Sequence, residues 1–170
     1  VRELPEAERV KAMTHIHALV RADGKVDLFE FALLALMDYQ LGTKKQRKTD
    51  KRPSIPVIQS DMNVLLSLLA HVGKQSPEQI EQAFTAATTR APLEGTWSLV
   101  KPESINLRVL ATILNRLNTL NYSFKAKLIE ACTAAILSNG EVALVEAELL
   151  RAIGARLECP VPPLLAGHSL

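Results

Sequence analysis

The sequence predicts an all-α fold, a compact bundle of about seven helices that contains two related helical hairpins. Apolar residues recur at alternating steps of three and four, as in Leu107, Leu110, Leu114 and Leu117, which is the period of an amphipathic helix. Helix-capping residues and glycines separate these stretches. With 170 residues and 48% hydrophobic side chains, the chain is expected to form a single domain, 1–170, with a substantial core.

An internal repeat predicts the two hairpins. Residues 11–42 and 127–158 align without a gap and share nine identical residues over 32 positions. Each stretch contains a corner between two apolar helices, at residues 22–30 (the first corner) and 138–146 (the second corner). Gly24 and Gly140 occupy equivalent positions, where a helix can end because glycine adopts the left-handed conformation without a Cβ clash.

The acidic residues of the first corner have two interpretations. Asp27 is a natural N-cap and Glu30 follows three residues later, which is the spacing of a capping box. Asp23, Asp27 and Glu30 are also oxygen ligands that could bind a divalent cation weakly, although the span is too short for an EF-hand loop. At the second corner Asn139 and Ala143 replace the two aspartates, and this favours capping over metal binding.

The N-terminal third contains two predicted helices and a basic loop. The first helix begins near Pro5 and ends near Ala22, and the second, over 28–41, is apolar almost all round. The second helix is therefore expected to be buried in this domain or, alternatively, to face a partner. Residues 43–56 are expected to form a flexible loop. It contains six basic residues: Lys44, Lys45, Arg47, Lys48, Lys51 and Arg52.

The basic loop is interpreted first as a mobile, solvated segment. Contact with phosphate or an anionic lipid surface is the alternative. No aromatic side chain lies between the charges, and the formal net charge of the whole chain is only +2. Nucleic acid is therefore not an expected partner.

Local signals predict the remaining helices. Ser60 is expected to cap a third helix over 61–72, which Gly73 ends, and the sequence Ser76-Pro77-Glu78-Gln79 predicts a capping box at the start of a fourth helix over 77–90. Residues 92–101 form a predicted loop in which Trp97 anchors to the core.

The C-terminal half contains three further predicted helices. The fifth covers 105–120, Ser123 is expected to cap the sixth, and the seventh covers 144–157. Prolines over 160–163 prevent further helix, so the end of the chain is expected to be an extended strap on apolar surface or a loose end.

No catalytic motif is present in the sequence. It contains no H-E-x-x-H, no G-x-S-x-G and no glycine-rich phosphate loop. Cys132 and Cys159 do not form a C-x-x-C pair, which indicates a reducing compartment and no zinc ribbon. We therefore expect no catalytic residue and no cofactor in this chain. A free-standing enzyme with a dispersed site is the least favoured of the hypotheses.

Three stretches together resemble a known family. Residues 18–33, Ala-Leu-Val-Arg-Ala-Asp-Gly-Lys-Val-Asp-Leu-Phe-Glu-Phe-Ala-Leu, resemble the start of the C-terminal region of bacterial membrane zinc metallopeptidases of the HtpX-like, CAAX-prenyl-protease type. Residues 146–153 and 159–165 resemble the end of that region. The Ala-Asp-Gly corner is also similar to the TerB-like helical fold.

The resemblance implies an accessory domain cut from a longer protein, whose zinc and H-E-x-x-H helix belong to a preceding membrane-associated domain. Its partners would be its own protease domain or client proteins, and the fragment, soluble by itself, would lie at the cytoplasmic face of the inner membrane. The basic loop would fit a position near the anionic inner leaflet. TerB-like relatives are associated with metal binding at acidic corners, which implies the alternative function of a cation sensor through Asp23, Asp27 and Glu30.

Overall fold

The computed structural model describes residues 53–74, 76–159 and 161, with the isolated residues 5, 8 and 11, and it leaves out the side chains of Leu107 and Arg108. Five α-helices follow one another: α1 (Ile55–His71), α2 (Pro77–Thr89), α3 (Leu107–Asn118), α4 (Tyr122–Ile136) and α5 (Leu144–Arg156). Short 3-10 turns cover Pro102–Ser104 and Leu137–Asn139. No strand occurs within these ranges, so the all-α class is confirmed for the described residues.

The five helices correspond to the third to seventh predicted helices. Of the first predicted helix only Glu8 and Lys11 are described as helical, and the Glu8 N–H bonds the Pro5 carbonyl at 3.0 Å. The second predicted helix and the first corner lie outside the described residues. The number seven and the pairing of two hairpins therefore stay predictions.

Helix α1 begins earlier than the sequence pattern predicts. It starts at Ile55, so Ser60 is an internal helical residue and the prediction that it caps the helix is wrong. Ser54 occupies the N-cap position with an extended backbone, and Pro56 lies in the first turn, where its fixed φ favours a helix and its missing N–H has no consequence. Asp61, predicted to be in the first turn, is a buried residue in the body of the helix.

Helix α2 begins as predicted. Ser76 Oγ accepts a hydrogen bond from the Gln79 N–H at 3.3 Å, and the Gln79 side chain accepts one from the Ser76 N–H at the same distance. Pro77 occupies the first helical position. The capping box is thus confirmed, because all of its contacts are local in the sequence.

The N-cap of helix α4 lies two residues before the expected cap, Ser123. The Asn121 side chain accepts a 2.8 Å hydrogen bond from the Phe124 N–H, and the helix starts at Tyr122. The prediction that Ser123 is the cap is therefore wrong. Asn121 has the extended φ and ψ of an N-cap, and its short carboxamide reaches the N–H three residues later.

Helix α4 lies against α1, α2 and α5, while α3 contacts α1 and α5. Among the described residues, twelve large side chains are fully buried: Met62, Leu65, Leu66, Leu69, Leu110, Leu114, Leu117, Leu128, Ile136, Leu149, Leu150 and Ile153. Trp97 is half-buried and packs against this core, as predicted for a loop anchor. The core is therefore aliphatic, and the loop between α2 and α3 is fastened to it.

Helix α5 ends in a Schellman motif. The Cys159 N–H bonds the Gly154 carbonyl at 2.9 Å, and the Glu158 N–H bonds the Ala155 carbonyl at 3.2 Å. Glu158 adopts a positive φ of 51°, although it carries a Cβ. The equivalent position in the internal repeat is Gly42. A residue that disfavours this conformation thus stands where the aligned segment has glycine.

The chain after α5 turns back onto the helix. A Cβ placed on Gly154 would lie 2.0 Å from Val161 Cγ2, so Val161 packs directly over this glycine. This contact agrees with the start of the predicted strap. Residue 160 and the residues after 161 lie outside the described part of the chain.

Glu158→Gly is expected to raise the free energy of unfolding by about 1 kcal/mol, because glycine adopts positive φ without the Cβ penalty. Urea denaturation followed by circular dichroism measures this change. Glu158→Ala is the matched control: it removes the same carboxylate and keeps the Cβ, so its stability should stay near that of the parent. Equal gains for glycine and alanine would assign the effect to the lost charge.

Candidate interaction site

The residues with a predicted binding role lie mostly outside the described part of the chain. This applies to the cation ligands Asp23, Asp27 and Glu30. It also applies to the six basic residues Lys44, Lys45, Arg47, Lys48, Lys51 and Arg52. Both binding hypotheses therefore stay predictions, and the described site is built from other residues.

The second corner has the predicted turn. Gly140 is left-handed, with φ of 78°, and its N–H bonds the Leu137 carbonyl at 3.1 Å. Glu146 Oε2 accepts a 2.7 Å hydrogen bond from the Ala143 N–H, which closes the first turn of α5. Ala143 has no side-chain acceptor, so this corner contains half of a capping box.

The other oxygen of Glu146 binds a lysine from the α1–α2 connection. Lys74 Nζ lies 2.6 Å from Glu146 Oε1, and the two side chains are 0% and 1% exposed. The ammonium also donates to the Ile136 carbonyl at 3.3 Å and to Asn139 Oδ1 at 3.5 Å. Both charges are thus shielded from solvent, but each has hydrogen-bonding partners. The ion pair joins the α1–α2 connection to the α4–α5 corner, which are distant in the sequence.

Gly73 makes room for this ion pair. Its φ is 71°, and a Cβ at this position would lie 2.6 Å from Glu146 Cδ and 2.8 Å from Oε1. Glycine is therefore favoured here for two reasons. It adopts the left-handed backbone that ends α1, and its missing Cβ lets the Glu146 carboxylate approach the backbone.

A second polar feature runs along α1. Gln59, Asn63, Ser67 and His71 are spaced four residues apart, which places them on one side of the helix, and we call them the α1 polar row. All four bind the main chain of the segment 96–100, which belongs to the loop between α2 and α3.

The first half of the row contacts two alternate residues of the segment. Gln59 Nε2 donates to the Thr96 carbonyl at 3.0 Å. Asn63 binds Ser98 at both main-chain groups: its Nδ2 donates to the carbonyl at 2.7 Å, and its Oδ1 accepts from the N–H at 3.0 Å. The backbone also passes close to Gln59 at Gly95, where a Cβ would lie 2.2 Å from Gln59 Nε2.

The second half of the row repeats this arrangement at Val100. Ser67 Oγ accepts from the Val100 N–H at 3.0 Å, and His71 Nε2 lies 2.8 Å from the Val100 carbonyl. Because a carbonyl can only accept, His71 donates through Nε2, which fixes the tautomer of a neutral ring.

The spacing explains why a helix can bind an extended segment in this way. Four helical residues advance about 6 Å, and two residues of a strand advance about 6.6 Å. A polar row with a period of four therefore meets every second residue of an extended chain. All five bonds reach backbone atoms, so the row recognises extended main chain whatever its side chains are.

A further ion pair connects α1 with α3. Arg116 Nε and Nη2 donate to the two carboxylate oxygens of Asp61 at 2.7 and 2.5 Å. Asp61 is buried, whereas the Arg116 side chain is 38% exposed. The hydrogen bonds to this carboxylate raise the pKa of Arg116. The bidentate geometry fixes the crossing of the two helices.

Cys132 is a buried titratable group of the described part of the chain. Burial raises the pKa of the Cys132 thiol to about 12, so this sulfur stays protonated and is a poor nucleophile at neutral pH. Within the described residues no three His, Cys, Asp or Glu side chains are grouped so as to hold a metal ion. No helix in that part of the chain has both the length and the apolar character to span a membrane.

Comparison of the chain with protein-family models, with curated proteins and with solved structures gave no significant match. We therefore infer function from the residues themselves. Three features were missed in the sequence: the role of Lys74, the pairing of Asp61 with Arg116, and the α1 polar row. The row did leave a signal, since polar residues four apart interrupt an otherwise apolar helix. The pairing of Lys74 with Glu146, 72 residues apart, left none.

Proposed function

We propose that the chain is a non-catalytic accessory module of a membrane-associated zinc metallopeptidase of the HtpX-like type. It would act at the cytoplasmic face of the inner membrane by binding its own protease domain or client proteins. The observation that carries the binding role is the segment 96–100, because the α1 polar row holds its main chain extended through five hydrogen bonds, and a strand held in this way is suited to polypeptide recognition.

The buried charged side chains of Lys74, Glu146 and Asp61 are paired with one another or with an arginine, and this supports a binding role rather than a catalytic one. Lys74 and Glu146 neutralise each other, and Asp61 is held by Arg116. Burial could have favoured a reactive role for these groups, but each of them has a partner that fixes a helix or a turn. Zinc chemistry would belong to the preceding protease domain.

The proposal includes the complete bundle. We take residues 11–42 to form a hairpin related to α4 and α5, which gives a TerB-like arrangement of seven helices. The nine identities of the repeat support this, and so does the second corner, where Gly140 has the turn predicted for both corners and Glu146 has the capping role predicted for the equivalent Glu30. The six basic residues of 43–56 would then contact the anionic membrane surface.

The first test is the open reading frame that encodes the chain. Sequence upstream of residue 1 should contain an H-E-x-x-H helix in a membrane-associated domain, and its absence would remove the proposal. In the parent protein, removal of residues 1–170 should reduce cleavage of a membrane substrate while zinc stays bound. The 170-residue chain alone should show no protease activity with added zinc, and metal-dependent cleavage would contradict the accessory role.

A cation-binding function is the second candidate, and one observation favours it. At the second corner, Asn139 Oδ1 and Glu146 Oε1 surround the ammonium of Lys74. The repeat equates these residues with Asp23 and Glu30. The first corner would thus offer two carboxylates where the second corner binds a cationic group, with Asp27 nearby in the sequence.

Calorimetry with Ca²⁺, Mg²⁺ and Zn²⁺ tests the second candidate. Binding should appear as heat and as a rise in the thermal midpoint, and it should be lost in the variant Asp23→Asn/Glu30→Gln. Asn139→Asp, which adds a carboxylate at the second corner, is the control for nonspecific attraction and should not add a second binding event. No heat and no thermal shift with any of the three ions would exclude the sensor.

A further inference from the structure

The segment 96–100 uses only one of its two edges. Its hydrogen bonds to the α1 polar row involve Thr96, Ser98 and Val100, which are alternate residues. In an extended chain the N–H and C=O of one residue point to the same side, and those of its neighbours point to the other side. The backbone groups of Trp97 and Leu99 therefore face away from α1.

The outer edge has no partner within the described residues. No hydrogen bond joins the backbone N–H or C=O of Trp97 or Leu99 to any residue that the structure describes. Thr96, Ser98 and Leu99 are exposed, and Leu99 keeps 37% of its residue surface in solvent. Two donors and two acceptors thus stand at strand spacing on the surface of a helical protein, which is the arrangement that adds another strand.

We propose that this edge pairs with the same edge of a second copy of the chain, as a two-stranded antiparallel ribbon. A two-fold axis at Ser98 places Trp97 of one copy opposite Leu99 of the other, and each such pair exchanges two hydrogen bonds. The ribbon contains four of these hydrogen bonds, and they use every outward backbone N–H and C=O of Trp97 and Leu99.

The charges at the two ends of the segment favour a second copy of the chain, rather than an unrelated strand, as the pairing partner. Glu94 and Lys101 are exposed at the two ends of the segment and carry opposite charges. Antiparallel pairing with the axis at Ser98 places Lys101 of each copy opposite Gly95 of the other and one residue from its Glu94, so unlike charges are neighbours at both ends of the ribbon. A parallel arrangement would instead place like charges together.

The α1 polar row holds the segment 96–100 in the extended conformation that pairing requires. Five side-chain bonds hold the backbone extended before association, which reduces the ordering that binding requires. The ribbon is short and its surface small, so the expected dimer is weak and reversible, in the class of transient interfaces. This inference does not depend on the proposed accessory role.

Sedimentation equilibrium of the 170-residue chain tests the proposal. A reversible monomer–dimer equilibrium is expected in the range of ~100 μM, typical of small interfaces. Leu99→Pro removes one outward N–H in each copy and preserves the inner edge, because proline accepts an extended backbone. This variant should raise the dissociation constant at least tenfold with the helical circular dichroism unchanged.

Two control variants separate the effect of the backbone edge on dimerisation from the effect of the Leu99 side chain. Leu99→Thr removes the apolar side chain and keeps the N–H, so it should still dimerise. Val100→Pro removes the N–H that Ser67 accepts, and it should lower the thermal midpoint because it loosens the strand from α1. Unaltered dimerisation of Leu99→Pro would overturn the proposal.

A peptide of residues 94–101 gives an independent readout. It should compete with the dimer, whereas the same peptide N-methylated at positions 97 and 99 should not. A chain that stays monomeric up to millimolar concentration would refute pairing with a second copy. If such a monomer still bound the unmethylated peptide, the edge would belong to an extended segment of another protein.

Discussion

Replacement of Lys74 by Met is expected to lower the free energy of unfolding by about 3–5 kcal/mol, which is the usual effect of removing one partner of a buried ion pair. The Glu146 side chain is 1% exposed, so without the ammonium at 2.6 Å its charge has no solvent to stabilise it. The loss comes mainly from the carboxylate that remains behind.

The double variant Lys74→Met/Glu146→Gln tests this reason. Glutamine keeps an oxygen that can accept the Ala143 N–H, but it carries no charge that needs neutralising. The double variant should therefore recover more than half of the stability lost in Lys74→Met, as seen in urea denaturation with two-state analysis.

A surface pair provides the control for removing a cation. Arg151 pairs with Glu148 three residues earlier in α5, and their side chains are 49% and 29% exposed. Arg151→Met should change the free energy of unfolding by less than about 1 kcal/mol, because solvent screens exposed pairs. Similar losses for Lys74→Met and Arg151→Met would mean that burial of the first pair has no energetic consequence.

Features that depend on neighbouring residues were predictable from the sequence. The α2 capping box, the Gly140 turn and the limits of α5 were all found as expected, because each depends on contacts within a few residues. The same local reasoning failed at the start of α1. There Ser60 followed by Asp61 predicts a helix start, although Ser60 lies within the helix and the Asp61 side chain binds Arg116, 55 residues further along the chain.

Glu146 has one contact that neighbouring residues predict and one that they do not. Its position three residues after the end of the turn predicts a capping role, and its Oε2 does bond the Ala143 N–H. Its Oε1 binds Lys74, which lies outside the repeated stretches, so neither the repeat nor the capping pattern could indicate it. The sequence thus predicted one half of the function of this carboxylate, and the tertiary fold supplies the other half.

The α1 polar row could not be predicted for a related reason. Its period of four is visible in the sequence, but polar residues at that spacing are usually the solvated side of an amphipathic helix. Their role depends on the segment 96–100 lying alongside α1, and that placement follows from the path of the chain between α2 and α3. Side chains that bind backbone leave no complementary residue type to recognise in the partner.

Gly73→Ala is expected to be clearly more destabilising than Gly140→Ala, although both glycines are left-handed, with φ of 71° and 78°. The conformational penalty for alanine is shared and amounts to about 1–2 kcal/mol. A Cβ on Gly140 meets nothing within 4 Å, so its substitution should show this penalty alone.

A Cβ on Gly73 lies 2.6–2.9 Å from three atoms of the Glu146 side chain. That side chain is normally flexible, but here Lys74 and the Ala143 N–H hold its two oxygens, so it can move away only by breaking those bonds. A further loss of about 1–3 kcal/mol, typical of overpacking, is therefore expected for Gly73→Ala. In a Glu146→Ala background the steric conflict is absent, and the effect of Gly73→Ala should fall to that of Gly140→Ala. An equal effect of the two alanine substitutions in the parent chain would show that the carboxylate yields without loss, and that the ion pair does not fix the connection between α1 and α2.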